Sequence, residues 1–145
     1  MKKALPWRLA LIAYLVGLGL VGFWPNKVDM PIQGTLASMF GFLHRNGIPI
    51  WVDYDLLEAS ANLAMFIPLG ALAAWAFPKQ AWWRISAVAS FMSVCMEVGQ
   101  LVFLSTRIAS MLDVAMNTLG AVIGVAVARY FVLIPARSTG PATEQ

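Results

Sequence analysis

The chain has 145 residues, 60% hydrophobic and 12% charged, about half the 25% or so of charged residues that a soluble domain carries. Its ten Lys and Arg and seven Asp and Glu stand singly among apolar runs without forming a basic patch or stripe, which excludes a nucleic-acid-binding surface. The single cysteine, Cys95, excludes an internal disulfide, and within its apolar run it reads as a small core residue.

A membrane span takes roughly 20 mainly apolar residues. The first candidate, 7–24, follows Lys2 and Lys3, but "LVGFWPNK" offers no small-x-small cleavage site, so it reads as a retained helix and not a signal peptide. A long loop follows, from 25 to about 55. In it Ile32, Leu36, Met39, Phe40 and Leu43 fall on one helical stripe. This predicts a short interfacial helix over 35–45, bracketed by Gly34 and Gly47, with Trp51 and Tyr54 as aromatic anchors beyond it. His44 and Arg45 come at its C-terminal end, where positive charge suits the helix dipole, and His44 reads there as a solvated end residue. In "DYDLLE", Asp55 precedes Glu58 by three positions at the head of an apolar run, which predicts an N-cap with its capping partner and not a metal site at Asp53-x-Asp55. No metal-ligand spacing of His and Cys occurs in the chain.

Three further spans follow, over 56–77, 81–104 and 111–134. Pro68 sits inside the second, where it removes the donor that the Ala64 carbonyl would use. Ser110-x-x-Asp113 reads as a capping box opening the fourth. Within that span Gly120-x-x-x-Gly124, continued by Ala128, suits close helix contact, either inside the protomer or in an oligomer. The predicted fold is all-α and integral to the membrane: four transmembrane helices, a short interfacial helix between spans 1 and 2, one membrane domain over 1–134, and a polar, disordered tail over 135–145. With the N-terminus in the cytoplasm, Lys2, Lys3, Arg8, Lys79, Arg84, Arg129 and Arg137 fall inside, against Lys27, Arg45 and Arg107 outside. The positive-inside rule therefore puts both termini in the cytoplasm.

In that orientation the polar residues of the spans share a depth. Asn62 lies a turn below the outer start of the second span, Glu97 and Gln100 one to two turns below the outer end of the third, and Asn117 one turn below Asp113. At 1.5 Å per residue all reach a layer roughly 5 to 10 Å beneath the outer interface. Residues three or four apart share a helix face, as Glu58 does with Asn62, Glu97 with Gln100, and Asp113 with Asn117. A carboxylate facing acyl chains costs about 2.5 to 3.5 kcal/mol on insertion scales. The three faces are therefore expected to meet in one cluster, with Arg107 from the short loop before the fourth span as its counter-charge.

"ANLAMFIPLG", with Asn62, Phe66, Pro68 and Gly70, resembles the N-x-x-x-F-x-P-x-G motif of the VanZ-like family of small bacterial membrane proteins. Ser93, Glu97, Gln100, Arg107, Asp113, Asn117, Gly120 and Gly124 resemble that family's second signature in order and spacing, so that the match runs over 58–124. One departure is the segment 108–112, which is more apolar, and outside 58–124 the chain matches in general layout. The resemblance implies a multi-pass domain in a bacterial plasma membrane, and its namesake is linked to resistance to the lipoglycopeptide teicoplanin.

Three functions are weighed. The shared depth of the polar residues favours a non-enzymatic module in which Asn62, Glu97, Gln100, Arg107, Asp113 and Asn117 bind the polar group of an amphiphile, such as a membrane lipid, a cell-envelope precursor or a lipoglycopeptide. A structural scaffold or subunit of a membrane assembly, oligomeric through Gly120 and Gly124, is the alternative. An enzyme modifying a lipid head group, with Glu97 as acid or base, is the weakest, because Ser93 and Ser105 lack an adjacent base and there is neither a metal set nor a phosphate loop. No cofactor is expected.

Overall fold

In hydrocarbon every backbone N–H and C=O must be satisfied within the chain, so long apolar runs broken by Pro, Gly and polar pairs fold as helices. The computed structural model describes residues 4–24, 32–104 and 110–137, apart from the side chains of 33 and 132–137. These residues form five helices: α1 (Leu5–Gly22), α2 (Gln33–Arg45), α3 (Tyr54–Ala76), α4 (Trp82–Phe103) and α5 (Met111–Arg137). All but α2 are long and apolar enough to cross a membrane, and the chain is a multi-pass membrane protein.

Helix ends differ from the predicted ones for local reasons. α1 begins two residues early because Pro6 lies in its first turn, where a missing N–H costs no intrahelical bond. α3 is capped by Asp53 and not by Asp55: the Asp53 backbone is extended, and its Oδ1 accepts from the Leu56 N–H at 3.1 Å. The Ser110 cap holds, its Oγ accepting from the Asp113 N–H at 3.3 Å. α5 runs on through Pro135 to Arg137, three residues past the predicted end of the span. The rest of the predicted tail lies outside the described residues.

α3 and α5 form the spine. A Cβ on Gly70 would run into the Ala121 carbonyl, and one on Gly120 or Gly124 would run into the carbonyl of Leu63 or Ile67. The small-residue face of α5 is thus occupied by α3 inside the chain. Phe66, Leu69 and Ala121 are buried at this seam, and α3 continues as helix through Pro68. α4 packs on α5, and α1 lies along α3. There the Tyr14 hydroxyl donates to the Met65 carbonyl at 2.7 Å, and Trp7 meets Trp75 with ring centroids 4.6 Å apart.

The outward faces of α1 and α4 are apolar. Leu9, Ile12, Val16 and Leu20 on α1, and Val88, Phe91, Val98 and Val102 on α4, are exposed stripes that suit acyl chains. Cys95 belongs to the exposed side of α4. The expectation of a core position fails because the buried stripe of α4 is Ile85, Ser86, Ala89, Ser93, Glu97 and Gln100. Basic residues gather at the end where α3 turns into α4. Arg8 Nε donates to the Ala76 carbonyl at 3.3 Å, and Arg129 Nη2 donates to the Gln80 carbonyl at 2.5 Å.

α2 sits at the other end of the bundle, against α3. Of the predicted stripe, Leu36, Phe40 and Leu43 are half-buried, whereas Ile32 and Met39 are exposed. Gly47, at φ +90°, turns the chain after it in a conformation that favours glycine. His44 is not a solvated end residue: it is half-buried, with Nε2 3.0 Å from the Val52 carbonyl. That contact ties the end of α2 to the segment leading into the Asp53 cap.

Candidate functional site

α1 and α4 end, and α3 and α5 begin, at the same end of the bundle, and a cavity of about 420 Å³ lies between them. α2 contributes Ile32 and Leu36 to its wall. Five of the six residues expected to cluster, Asn62, Glu97, Gln100, Asp113 and Asn117, line this one cavity. The sixth, Arg107, lies outside the described residues. Apolar walls come from Leu18 and Val21 of α1, Met65 and Phe66 of α3, and Met96 of α4.

Each buried polar side chain of the set is held by another element. Glu97 is 8% exposed, and its Oε2 accepts from the Ser110 backbone N–H at 2.9 Å. Since the Ser110 hydroxyl also caps α5, this one residue joins the end of α4 to the start of α5. Gln100, also 8% exposed, donates from Nε2 to the Gly22 carbonyl at 2.8 Å and so ties α4 to the end of α1. That carbonyl is an acceptor freed by the end of a helix, which a side chain must satisfy if water does not. Asn117 is 5% exposed and donates from Nδ2 to the Oγ of fully buried Ser93 at 2.8 Å. Its Oδ1 is buried without a hydrogen-bond partner among the described residues. Asn62 and Asp113 are half-buried on the cavity wall.

Glu58 and Tyr54 also line the cavity, although neither is among the six residues expected to bind the ligand. Glu58 carried a signal, because it shares a face with Asn62 four positions on. Tyr54, an interfacial anchor by its place in the sequence, is half-buried in the first turn of α3. Ser93 carried a signal too, lying one turn before Glu97 on the same face. The Gly22 carbonyl carried none, because a backbone acceptor has no mark in the sequence.

A second cavity, about 770 Å³, lies between α1, α3 and α4 nearer the basic end. Its walls, Leu11, Leu15, Leu69 and Met92 among them, are almost wholly apolar, with Gln80 and Arg84 among the lining residues. Binding sites join apolar walls to a few convergent polar groups, and it is the first cavity that has this composition. Its chemistry is that of a polar seat with an apolar flank. Carboxylates, amides and a phenol can hold a polar head, while Phe66, Met65 and Leu18 accept hydrocarbon.

A family model described as VanZ/LLP1 matches residues 10–133, a range that contains every residue lining the cavity. No curated protein and no solved structure matches the chain significantly.

Proposed function

The chain belongs to the VanZ/LLP1 family, and from that premise we propose that it binds an amphiphile, the polar group seated among Asn62, Glu97, Gln100, Asp113 and Asn117 and the tail lying along the apolar flank. The observation that carries this reading is the cavity itself: side chains from α3, α4 and α5 that are costly in hydrocarbon converge on one volume large enough for a head group. The basic end of the bundle, with Arg8, Lys79, Arg84 and Arg129, is the cytoplasmic end by the positive-inside rule, so the cavity opens toward the outer leaflet of a bacterial plasma membrane and both termini are cytoplasmic. A membrane lipid, a cell-envelope precursor and a lipoglycopeptide all have the required form. A contribution to teicoplanin resistance follows if the occupant is the lipoglycopeptide or the envelope lipid it competes for.

Native mass spectrometry of the detergent-purified protein, loaded with a bacterial polar lipid extract, tests the proposal. Ala61 is exposed and lines the cavity, so Ala61→Trp fills its mouth at little expense to the core. The variant is expected to lose most of the lipid adducts that the wild-type chain retains, and Glu97→Gln to lose a large part of them. If both variants hold as many adducts as the wild-type chain, the reading is wrong.

The hydrogen bonds of Glu97 to Ser110, Gln100 to Gly22 and Asn117 to Ser93 favour a second reading, in which the polar set serves to hold the helices together in a membrane scaffold. Such bonds average only about 0.6 kcal/mol in membranes. A Glu97→Leu protein that melts in detergent at the wild-type temperature excludes this reading, whereas a drop of several degrees supports it.

A further inference from the structure

The apolar cavity between α1, α3 and α4 shares no lining residue with the polar one. Its wall runs from Leu69 to Phe77 on α3 and from Met92 to Arg84 on α4. At 1.5 Å per residue each run covers roughly 12 Å, most of the roughly 15 Å that one leaflet contributes to the hydrocarbon core. The cavity is open sideways to lipid, because Ile12 of α1 and Val88 of α4, which line it, belong to the exposed stripes of those helices. An acyl chain in such a slot makes no polar demand on its walls, and polar groups are needed only where the chain meets the interface.

The mouth of the slot lies at the basic end. Every Asp and Glu of the described residues, Asp53, Asp55, Glu58, Glu97 and Asp113, belongs to the opposite half of the bundle. Arg8 and Arg129 are engaged in fastening the turn between α3 and α4, through the Ala76 and Gln80 carbonyls. Arg84 instead lines the slot at an exposed position, with its guanidinium 5.2 Å from the ring centroid of Trp83, which lines the slot too. Stacking occupies a face of the guanidinium and leaves its in-plane N–H donors, whose fork matches the oxygens of a phosphate.

We propose that this slot holds one acyl chain of an anionic phospholipid from the leaflet at the basic end, the inner leaflet in the orientation given above, with the lipid phosphate seated on Arg84. A net negative head group is favoured over a zwitterionic one, since no described carboxylate stands at this end to meet the cation that a zwitterion adds. The site is separate from the polar cavity and does not depend on what that cavity binds.

Detergent tails compete for an open slot, so the test uses the purified full-length chain in phosphatidylcholine vesicles. These contain a trace of phosphatidylglycerol or phosphatidylcholine with a diazirine midway along one acyl chain, and cross-linked residues are read by peptide mass spectrometry. Leu15 and Met92, half-buried in the slot wall, report its occupant. Val127 and Phe131, exposed on α5 outside the slot, report lipid that merely surrounds the protein. Normalised to those two, labelling of Leu15 and Met92 by the glycerol lipid is expected to exceed that by the choline lipid about fivefold, the factor that one basic residue near the surface contributes. Arg84→Gln is expected to bring the glycerol lipid down to the choline level. Ala87→Trp, at an exposed position that lines the slot, is expected to remove slot labelling by both lipids, and Ala61→Trp in the polar cavity to leave it unchanged. Equal normalised labelling by the two lipids overturns the proposal, as does labelling of Leu15 and Met92 by the glycerol lipid no stronger than that of Val127 and Phe131. Slot labelling that falls with Ala61→Trp also overturns it, because the label then arrives through the polar cavity. The two lipids are compared on the wild-type chain, so the proposal is decided even if a variant fails to fold.

Discussion

The Asp53 cap shows how closely a sequence pattern can approach an answer and still miss by two residues. Asp55 and Glu58 match the spacing of a capping pair, but Asp53 has the extended backbone that lets its carboxylate turn back to the Leu56 N–H. The chain path decides between them, because the turn after α2 is anchored where His44 meets the Val52 carbonyl. Asp53→Ala is therefore expected to destabilise the protein by about 1 kcal/mol, seen as a lower melting temperature in detergent, while Asp55→Ala, at an exposed position, stays within about 0.5 kcal/mol of wild type. The reverse order of effects would return the cap to Asp55. At the site, Glu97, Gln100 and Asn117 were legible because polar side chains in an apolar run carry a cost that some partner must offset. The partners of Glu97 and Gln100, a Ser110 N–H and a Gly22 carbonyl, were not, because backbone groups look alike at every position.

Between elements, the glycines of α5 had two possible neighbours, another copy of the chain or another helix of the same chain. The structure places α3 against them, with the carbonyls of Leu63 and Ile67 where side chains would otherwise be. Gly124→Val must push the spine apart, and is expected to cost about 3 kcal/mol and to lower the yield of folded protein in detergent size-exclusion chromatography. Gly17→Ala is the control: nothing lies near the position its Cβ would take, and a helical Gly→Ala exchange costs nothing in propensity. If Gly124→Val melts with Gly17→Ala and wild type, the close approach of α3 and α5 does not hold the bundle. The same spine brings Asn62 of α3 and Asn117 of α5 to one wall, so the geometry of the cavity depends on this contact.

For the whole molecule, the separation of a basic end from a polar cavity end sets the orientation to be tested. Cys95 is the single cysteine, so a Cys95→Ser background is free of thiols. In intact cells of a bacterial host, a membrane-impermeant maleimide is expected to label Trp51→Cys, at the cavity end, and to leave Lys79→Cys, at the basic end, unlabelled until the cells are opened. The opposite pattern would turn the cavity toward the cytoplasm and would remove its access to an outer-leaflet lipid.

The sequence by itself determined that four segments span the membrane, that a short amphipathic helix lies between the first two, and that the polar residues of the spans share one level. Each follows from a cost paid locally: hydrocarbon rejects unpaired backbone and charge wherever the residue sits, and helical spacing turns that rejection into a face. The tertiary structure alone decided which helices touch, that α3 fills the glycine face of α5, that Glu97 is held by Ser110 and Gln100 by Gly22, and that Asn117 donates to the Ser93 hydroxyl at a cavity wall. These depend on how helices distant in sequence approach one another, and that approach is set by the packing of the whole bundle.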